Sequence, residues 1–226
     1  MLGFFGFWRG PAPLIVEMGK TVSLNLRRIS GKVVREAAET VLAGGVILYP
    51  TDTIYGLGCD AFKQKAVDRI FRIKRRADTK PTLLLVRNRE MLRELVEEIP
   101  PMARLLMKRF WPGPLTLVFR AHGKINPIIT AGTQKIGIRI PDNSFCLKLI
   151  EACKRPLVST SANMSRRPNI ADRKSLIELF ANKVDLFIDA GRLPDSLPST
   201  VVDISAGEIV VIREGAIKKI DLLSVL

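Results

Sequence analysis

Apolar residues recur along this chain in two rhythms, one helical and one of strands, and the two alternate. Val34, Ala37, Ala38, Val41 and Leu42 fall on one face at helical spacing, which predicts a helix over residues 31–43. Ser30 can cap it and Gly44-Gly45 can end it. The short apolar run Val46 to Tyr49 then reads as a buried strand, stopped by Pro50, which cannot donate to a ladder. Ala66, Val67, Ile70, Phe71 and Lys74 return to helical spacing and deliver Lys74, Arg75 and Arg76 at a helix carboxyl end. Buried strands are expected at 82–86 and 115–119. Residues 135–140, KIGIRI, alternate strictly, with Ile136, Ile138 and Ile140 on one side and Gly137 and Arg139 on the other. Helices are expected at 89–99, from 101 to 110, at 143–153 and around 176–180. Strands are expected near 22–27 and at 156–158, 184–188, 200–204 and 208–213, followed by an amphipathic tail.

Strands alternating with helices predict an α/β protein, and hairpin-like pairs near the end predict a mixed, open, twisted sheet with flanking helices. No internal repeat or long linker divides residues 19–226, which read as one domain. Residues 1–18, MLGFFGFWRGPAPLIVEM, differ in character and lack the basic start and small-residue cleavage site of a signal peptide. They read as an extension outside the fold, with Met18 a candidate start. Of 226 residues, 47% are apolar, enough for a sizeable core, and no run reaches the roughly 18 apolar residues of a membrane span.

The formal charge of +14 points to acidic partners such as nucleic acid or nucleotide phosphates. It is concentrated: residues 63–93 hold eleven Lys or Arg against three acids. Three cysteines, Cys59, Cys146 and Cys153, are an odd count with no metal-ligand spacing, Cys146 and Cys153 share one helix face as buried apolar residues, and a reducing cytoplasm fits. His122 is the only histidine and sits in a polar, glycine-flanked segment, so neither a histidine triad nor a zinc site is expected.

The candidate chemistry gathers after strands. Thr51, Asp52 and Thr53 follow Pro50 at a strand's carboxyl end, where open α/β sheets bind ligands. Gly56 and Gly58 are read as loop glycines, and turn chemistry alone also explains such a stretch. Ser159, Thr160, Ser161 and Asn163 follow the strand at 156–158 and suit either helix caps or ligand contacts. Two imitations are rejected. Gly19-Lys20-Thr21 lacks the rest of a phosphate-binding loop, and GLGCDA is separated from its strand by PTDTIY, unlike a dinucleotide-binding turn.

Seven segments in order, YPTDTIYGLGCDA, IKRR followed by PTLLLV, WPGPLTLVF, IGIRIPD, PLVSTSAN, PSTVVD and IREGAI, resemble the YrdC/Sua5 family of threonylcarbamoyl-AMP synthases. The resemblance spans Ser30 to Ile217 and is to the shorter, YrdC-type arrangement. It implies an enzyme, a nucleotidyltransferase that condenses L-threonine, bicarbonate and ATP into threonylcarbamoyl-adenylate and pyrophosphate. This is the first stage of t6A formation in tRNA, feeding a downstream t6A transferase complex.

The resemblance also implies a basic concave face and a site. The family's lysine-x-arginine pair falls on Lys74 and Arg76, which become the catalytic candidates. Thr53, Arg139, Ser161 and Ser199 correspond to threonine-binding positions. Lys74, Arg76, Lys80, Asn163 and Arg213 are assigned to ATP. Mg²⁺ is expected to arrive with ATP, with no protein metal site, and zinc, haem and flavin are not expected. Alanine at Lys74 or Arg76 is expected to abolish turnover with the fold intact. Departures from the family pattern are Ala77, Lys80, Leu85 and Arg166-Arg167. Asp52 is expected to order its loop more than to hold metal. Two alternatives stand beside the synthase: a non-catalytic RNA- or tRNA-binding module, and a carbamoyl-adenylate enzyme like the similar domain of hydrogenase-maturation proteins.

Overall fold

A computed structural model describes residues 19–74, 82–123, 125–163 and 172–225. Its strands are β1 (Lys20–Ser23), β2 (Ile47–Tyr49), β3 (Gly56–Asp60), β4 (Leu83–Leu85), β5 (Leu115–Arg120), β6 (Lys135–Arg139), β7 (Leu157–Ser161), β8 (Leu186–Asp189), β9 (Thr200–Asp203) and β10 (Val210–Arg213). They form one mixed sheet in the order β1-β8-β2-β3-β7-β4-β6-β5-β9-β10, open at β1 and β10. Helices α1 (Gly31–Leu42), α2 (Gln64–Lys74), α3 (Arg89–Arg93), α4 (Pro101–Phe110), α5 (Pro127–Thr130), α6 (Ser144–Cys153), α7 (Arg173–Phe180) and α8 (Lys219–Leu223) complete the described part. Among the described residues no helix is long and apolar enough to cross a membrane.

Two apolar cores separate the faces of the sheet. Ile47, Tyr49, Leu85, Leu157 and Ile188 pack with Val34, Ala37, Phe145 and Leu149 of α1 and α6. Leu48, Leu57, Leu84, Leu117 and Val158 pack on the other side with Val67 and Ile70 of α2 and with Leu106 of α4. Side chains alternate across a strand, so register assigns further residues to the α1/α6 face. Ser159 pairs with Leu83 and Gly58, Ser161 with Gly56, and Gly137 and Arg139 with Leu83 and Leu85. The face beyond the two helices is therefore floored by Gly56, Gly58, Ser159, Ser161 and Gly137.

Those glycines make room for neighbouring side chains. Gly56 and Gly58 belong to β3, not to a loop, and PTDTIY is the connection of the β2–β3 hairpin. A Cβ on Gly58 would lie 2.6 Å from Cε1 of the buried Tyr49 ring, whose hydroxyl donates to Ser159 Oγ at 2.9 Å. Gly58→Ala is expected to lower stability by about 1–3 kcal/mol, the usual cost of overpacking, read as a lower urea midpoint. An unchanged midpoint would mean that the ring shifts freely. The space beside Arg139 is likewise already filled, because a Cβ on Gly137 would meet Thr116 Cγ2 at 3.2 Å and Leu83 Cβ at 3.4 Å.

Three other elements depart from the sequence expectation. The helix expected to reach residue 99 ends at Arg93, because the backbone beyond it is drawn to the end of β5. Val96 bridges Ala121, and Glu97 N–H donates to the Arg120 carbonyl at 3.1 Å. The strand expected to end at Val158 runs on to Ser161, paired with β3 along its length. Helix α5 was not expected. Its four residues are started by an Asn126 cap and Pro127, too few for periodicity to register.

One connection shapes the site. β8 is second in the sheet and β9 ninth, so residues 190–199 cross seven strand spacings, up to about 34 Å at ~4.8 Å each. Ten residues reach that far only when nearly extended, and no regular structure forms over 190–199. The strap is pinned where Tyr55 Oη donates to the Gly191 carbonyl at 2.8 Å and accepts from Ala190 N–H at 2.9 Å. Burial pushes the Tyr55 phenol up to about 12, so it remains a neutral donor.

Candidate active site

The hairpin loop after β2 is ordered from within. Thr51 Oγ1 donates to the Ile54 carbonyl at 2.7 Å and accepts from the N–H groups of Thr53 at 3.1 Å and Ile54 at 3.2 Å. This local bonding of a hydroxyl to its own loop holds the two residues that follow it against β6. Cys146 of α6 supports the start of the loop, its thiol 3.4 Å from the Pro50 carbonyl.

Arg139, at the end of β6, is 4% exposed and carries its charge inside the fold. Its Nε donates to the Gly113 carbonyl at 2.9 Å and one terminal nitrogen donates to Thr53 Oγ1 at 3.2 Å. The other forms an ion pair with the Asp52 carboxylate. Asp52 is thus the counter-ion of Arg139, a role beyond the loop ordering expected of it, and Thr51 performs the ordering. The WPGP segment contributes the Gly113 carbonyl, and Gly113 N–H is itself held by the Ile140 carbonyl at 2.9 Å.

Across the sheet, the register of Leu117 with Ile138 sets Thr116 beside Arg139, and Val201 aligns with both Thr116 and Arg213. Ser199 closes this row. Its Oγ lies 2.9 Å from Thr116 Oγ1, and its carbonyl accepts from Arg213 at 2.7 and 3.2 Å. Covering of the guanidinium, and then the Arg139 charge, push Arg213 below the usual arginine value. The strap joins here too, since Ser196 Oγ donates to the Thr53 carbonyl. Thr200 anchors the turn beyond Arg213, accepting from Gly215 N–H at 2.9 Å and Ile217 N–H at 3.0 Å.

The second group of residues meets at the end of β7. Lys74, 4% exposed, reaches over from α2, so it is not a cation spread at a helix terminus. Its ammonium donates to the Ser161 carbonyl, to Ser161 Oγ at 3.3 Å and to Asn163 Oδ1 at 2.8 Å. Ser161 Oγ also donates to Asn163 Oδ1 at 2.6 Å, which turns the amide nitrogen away from Lys74. Gly56 pairs with Ser161, and Ala162 N–H donates to the Tyr55 carbonyl at 2.8 Å, so the two groups share one framework.

Of the residues singled out in the sequence, Thr53, Arg139, Ser199 and Arg213 come together around the hairpin loop, and Lys74, Ser161 and Asn163 around the end of β7. Arg76, Lys80, Ala77 and Arg166-Arg167 lie outside the described residues. Leu85 is fully buried in the core under α6. Because neighbouring strands run in opposite directions, the site spreads over a sheet face and is not a row of carboxyl ends. Thr51 stood among the candidates only as the first hydroxyl after Pro50, and Tyr55, Thr116 and Ser196 carried no signal in the sequence.

No described thiol or imidazole can serve as nucleophile or base here. Burial pushes the thiol of Cys153 up to about 12 and raises Cys59 and Cys146 further, so all three stay protonated. His122 lies past β5, its N–H held by the Leu95 carbonyl at 2.9 Å. The chemistry available is fixed cations, hydroxyls and an amide, which suits binding and aligning anionic reactants.

Residues 39–215 match a family model for Sua5, YciO and YrdC proteins, described as telomere recombination. A threonylcarbamoyl-AMP synthase of Pyrococcus abyssi is 37% identical over 198 residues, 87% of this chain and 58% of that protein. One from Coxiella burnetii is 35% identical over 176 residues, 78% of this chain and 95% of its own length. The crystal structure of P. abyssi Sua5 complexed with L-threonine superposes with a TM-score of 0.87 at 35% identity, covering 91% of this chain and 60% of that one. The chain therefore spans under two thirds of the Pyrococcus protein and nearly all of the Coxiella one. Sequence, sheet topology and extent of match agree that this chain belongs to the Sua5/YciO/YrdC family.

Proposed function

We propose that this chain is an L-threonylcarbamoyladenylate synthase, a cytoplasmic nucleotidyltransferase that condenses L-threonine, bicarbonate and ATP to threonylcarbamoyl-AMP and pyrophosphate. The observation that carries the reading is the pairing, on one framework, of a buried arginine and a buried lysine, each bonded to hydroxyls. The names of the relatives, and the threonine complex of the Pyrococcus protein, support it.

The residues fit the chemistry. Threonine and bicarbonate give, with loss of water, a carbamate, already an anionic nucleophile, whose oxygen attacks the α-phosphorus as the bond to pyrophosphate breaks. Such a step needs neutralised charge and alignment more than a general base. The Arg139 guanidinium donates to the Gly113 carbonyl and to Thr53 Oγ1 and is ion-paired with Asp52, and its fork of further N–H groups suits a carboxylate. It holds the threonine carboxylate, with Thr53, Ser161 and Ser199 as hydroxyl partners. Lys74 neutralises phosphate charge. Its contact with Ser161 Oγ is the longer of its two side-chain bonds, 3.3 against 2.8 Å, and yields first to an arriving oxygen. Asn163, Arg213, Arg76 and Lys80 take the remaining nucleotide contacts.

Among the described residues no cluster of three or more metal-ligating side chains forms, and Asp52 is committed to Arg139. An ion borne by the triphosphate is part of the substrate, and no step here is routed through it. The product passes to a t6A transferase complex, and the +14 charge favours a direct tRNA contact. The same charge is the one observation behind a second reading, an RNA-binding module without turnover. Pyrophosphate release that depends on threonine and bicarbonate is the expected result. Folded protein without it would reject the synthase.

A further inference from the structure

The amino-acid pocket contains an acid that the reaction does not use. Asp52 lies beside Arg139, its side chain 11% exposed against 5% for the arginine. Arg213 approaches the same place from the sheet edge, through the row Arg139, Thr116, Val201, Arg213 and through Ser199. Two guanidinium groups and one carboxylate leave this cluster at +1. Without the carboxylate it would stand at +2, beside a triphosphate and a pyrophosphate leaving group. A dianion gains about twice as much as a monoanion from each added unit of positive charge, so a +2 pocket would favour polyanions over a zwitterionic amino acid.

We propose that Asp52 is a specificity-determining residue that holds the pocket at +1 and so keeps polyanions, phosphate groups above all, from displacing the amino acid. It does this as a fixed counter-charge on Arg139 and touches no reacting atom. The proposal rests on the assignment of the pocket to threonine, but its test does not. Sulfate is a dianion that probes the charge alone, by calorimetric titration of the folded full chain. Asp52→Asn keeps the size and a hydrogen-bonding oxygen and removes the charge. It is expected to bind sulfate about tenfold more tightly than the parent, the order of effect of one unit charge at close range in a partly covered site. The gain disappears in D52N/R139M, where the arginine charge is removed as well. Because D52N could fold poorly, Arg213→Gln gives an independent arm, expected to weaken sulfate binding of the parent severalfold. No gain in folded D52N, a gain that survives in D52N/R139M, or unchanged sulfate binding in R213Q overturns the proposal. A purely structural Asp52 would not make any anion bind better. Threonine that fails to bind the parent would count against the synthase reading and leave the sulfate comparison intact.

Discussion

Lys74→Ala is expected to abolish threonine-dependent pyrophosphate release and also to weaken the fold. The sequence alone suggests that only the first effect would follow, because a lysine at the end of an amphipathic helix ordinarily stands in water. Here the ammonium is buried and donates to the Ser161 carbonyl, Ser161 Oγ and Asn163 Oδ1. Truncation strips these acceptors of a charged donor at once, and unsatisfied buried acceptors cost about 1–3 kcal/mol. At roughly 2–4 °C per kcal/mol for a domain of this size, Tm should fall by several degrees. Lys74→Met keeps the apolar stem and separates packing from charge. It should be as inactive as the alanine variant, and the loss in Tm should be smaller. Near-normal turnover in either variant would remove Lys74 from the phosphate site.

The fold was legible where periodicity is strong. Helix α1 and its Ser30 cap, the buried run at 46–49 and the alternation of KIGIRI all lie within a residue or two of expectation. It was not legible where glycine serves packing. GLGCD reads as a loop because glycine usually marks one, yet β3 needs glycine for the Tyr49 ring and the Ser159 side chain above it. The site shows the same division. Thr53, Arg139, Ser161 and Ser199 were named through ordered motifs, but the Asp52 counter-ion and the strap anchors Tyr55 and Ser196 follow from sheet order. A crossing from the second strand to the ninth has no signature in local sequence. Such contacts appear only when residues 135 to 143 positions apart are brought together by the sheet, as Tyr55 and Ala190, and Thr53 and Ser196, are.

Arg139→Met is expected to have the largest combined effect, because it removes the proposed carboxylate anchor and orphans the acid beside it. Asp52 would remain mostly buried with its ion-pair partner gone, and breaking a buried pair from one side costs about 3–5 kcal/mol. Thr53 Oγ1 and the Gly113 carbonyl would also lose their donor. Threonine affinity should fall at least a hundredfold, since removing a bidentate charged contact typically costs ~3 kcal/mol or more. Arg139→Lys should not rescue it, because one ammonium cannot reproduce the planar bonds to the Gly113 carbonyl and Thr53 Oγ1, pair with Asp52 and still grip a carboxylate in a fork. The double variant D52N/R139M distinguishes the two losses. With no charge stranded, its urea midpoint should recover most of the way to the parent while threonine binding stays lost. If the double variant were no more stable than R139M, the ion pair would not be the cause of the destabilisation. If threonine still bound to it with the parent affinity, Arg139 would not be the carboxylate anchor, and the amino-acid pocket would have to be sought elsewhere on this face of the sheet.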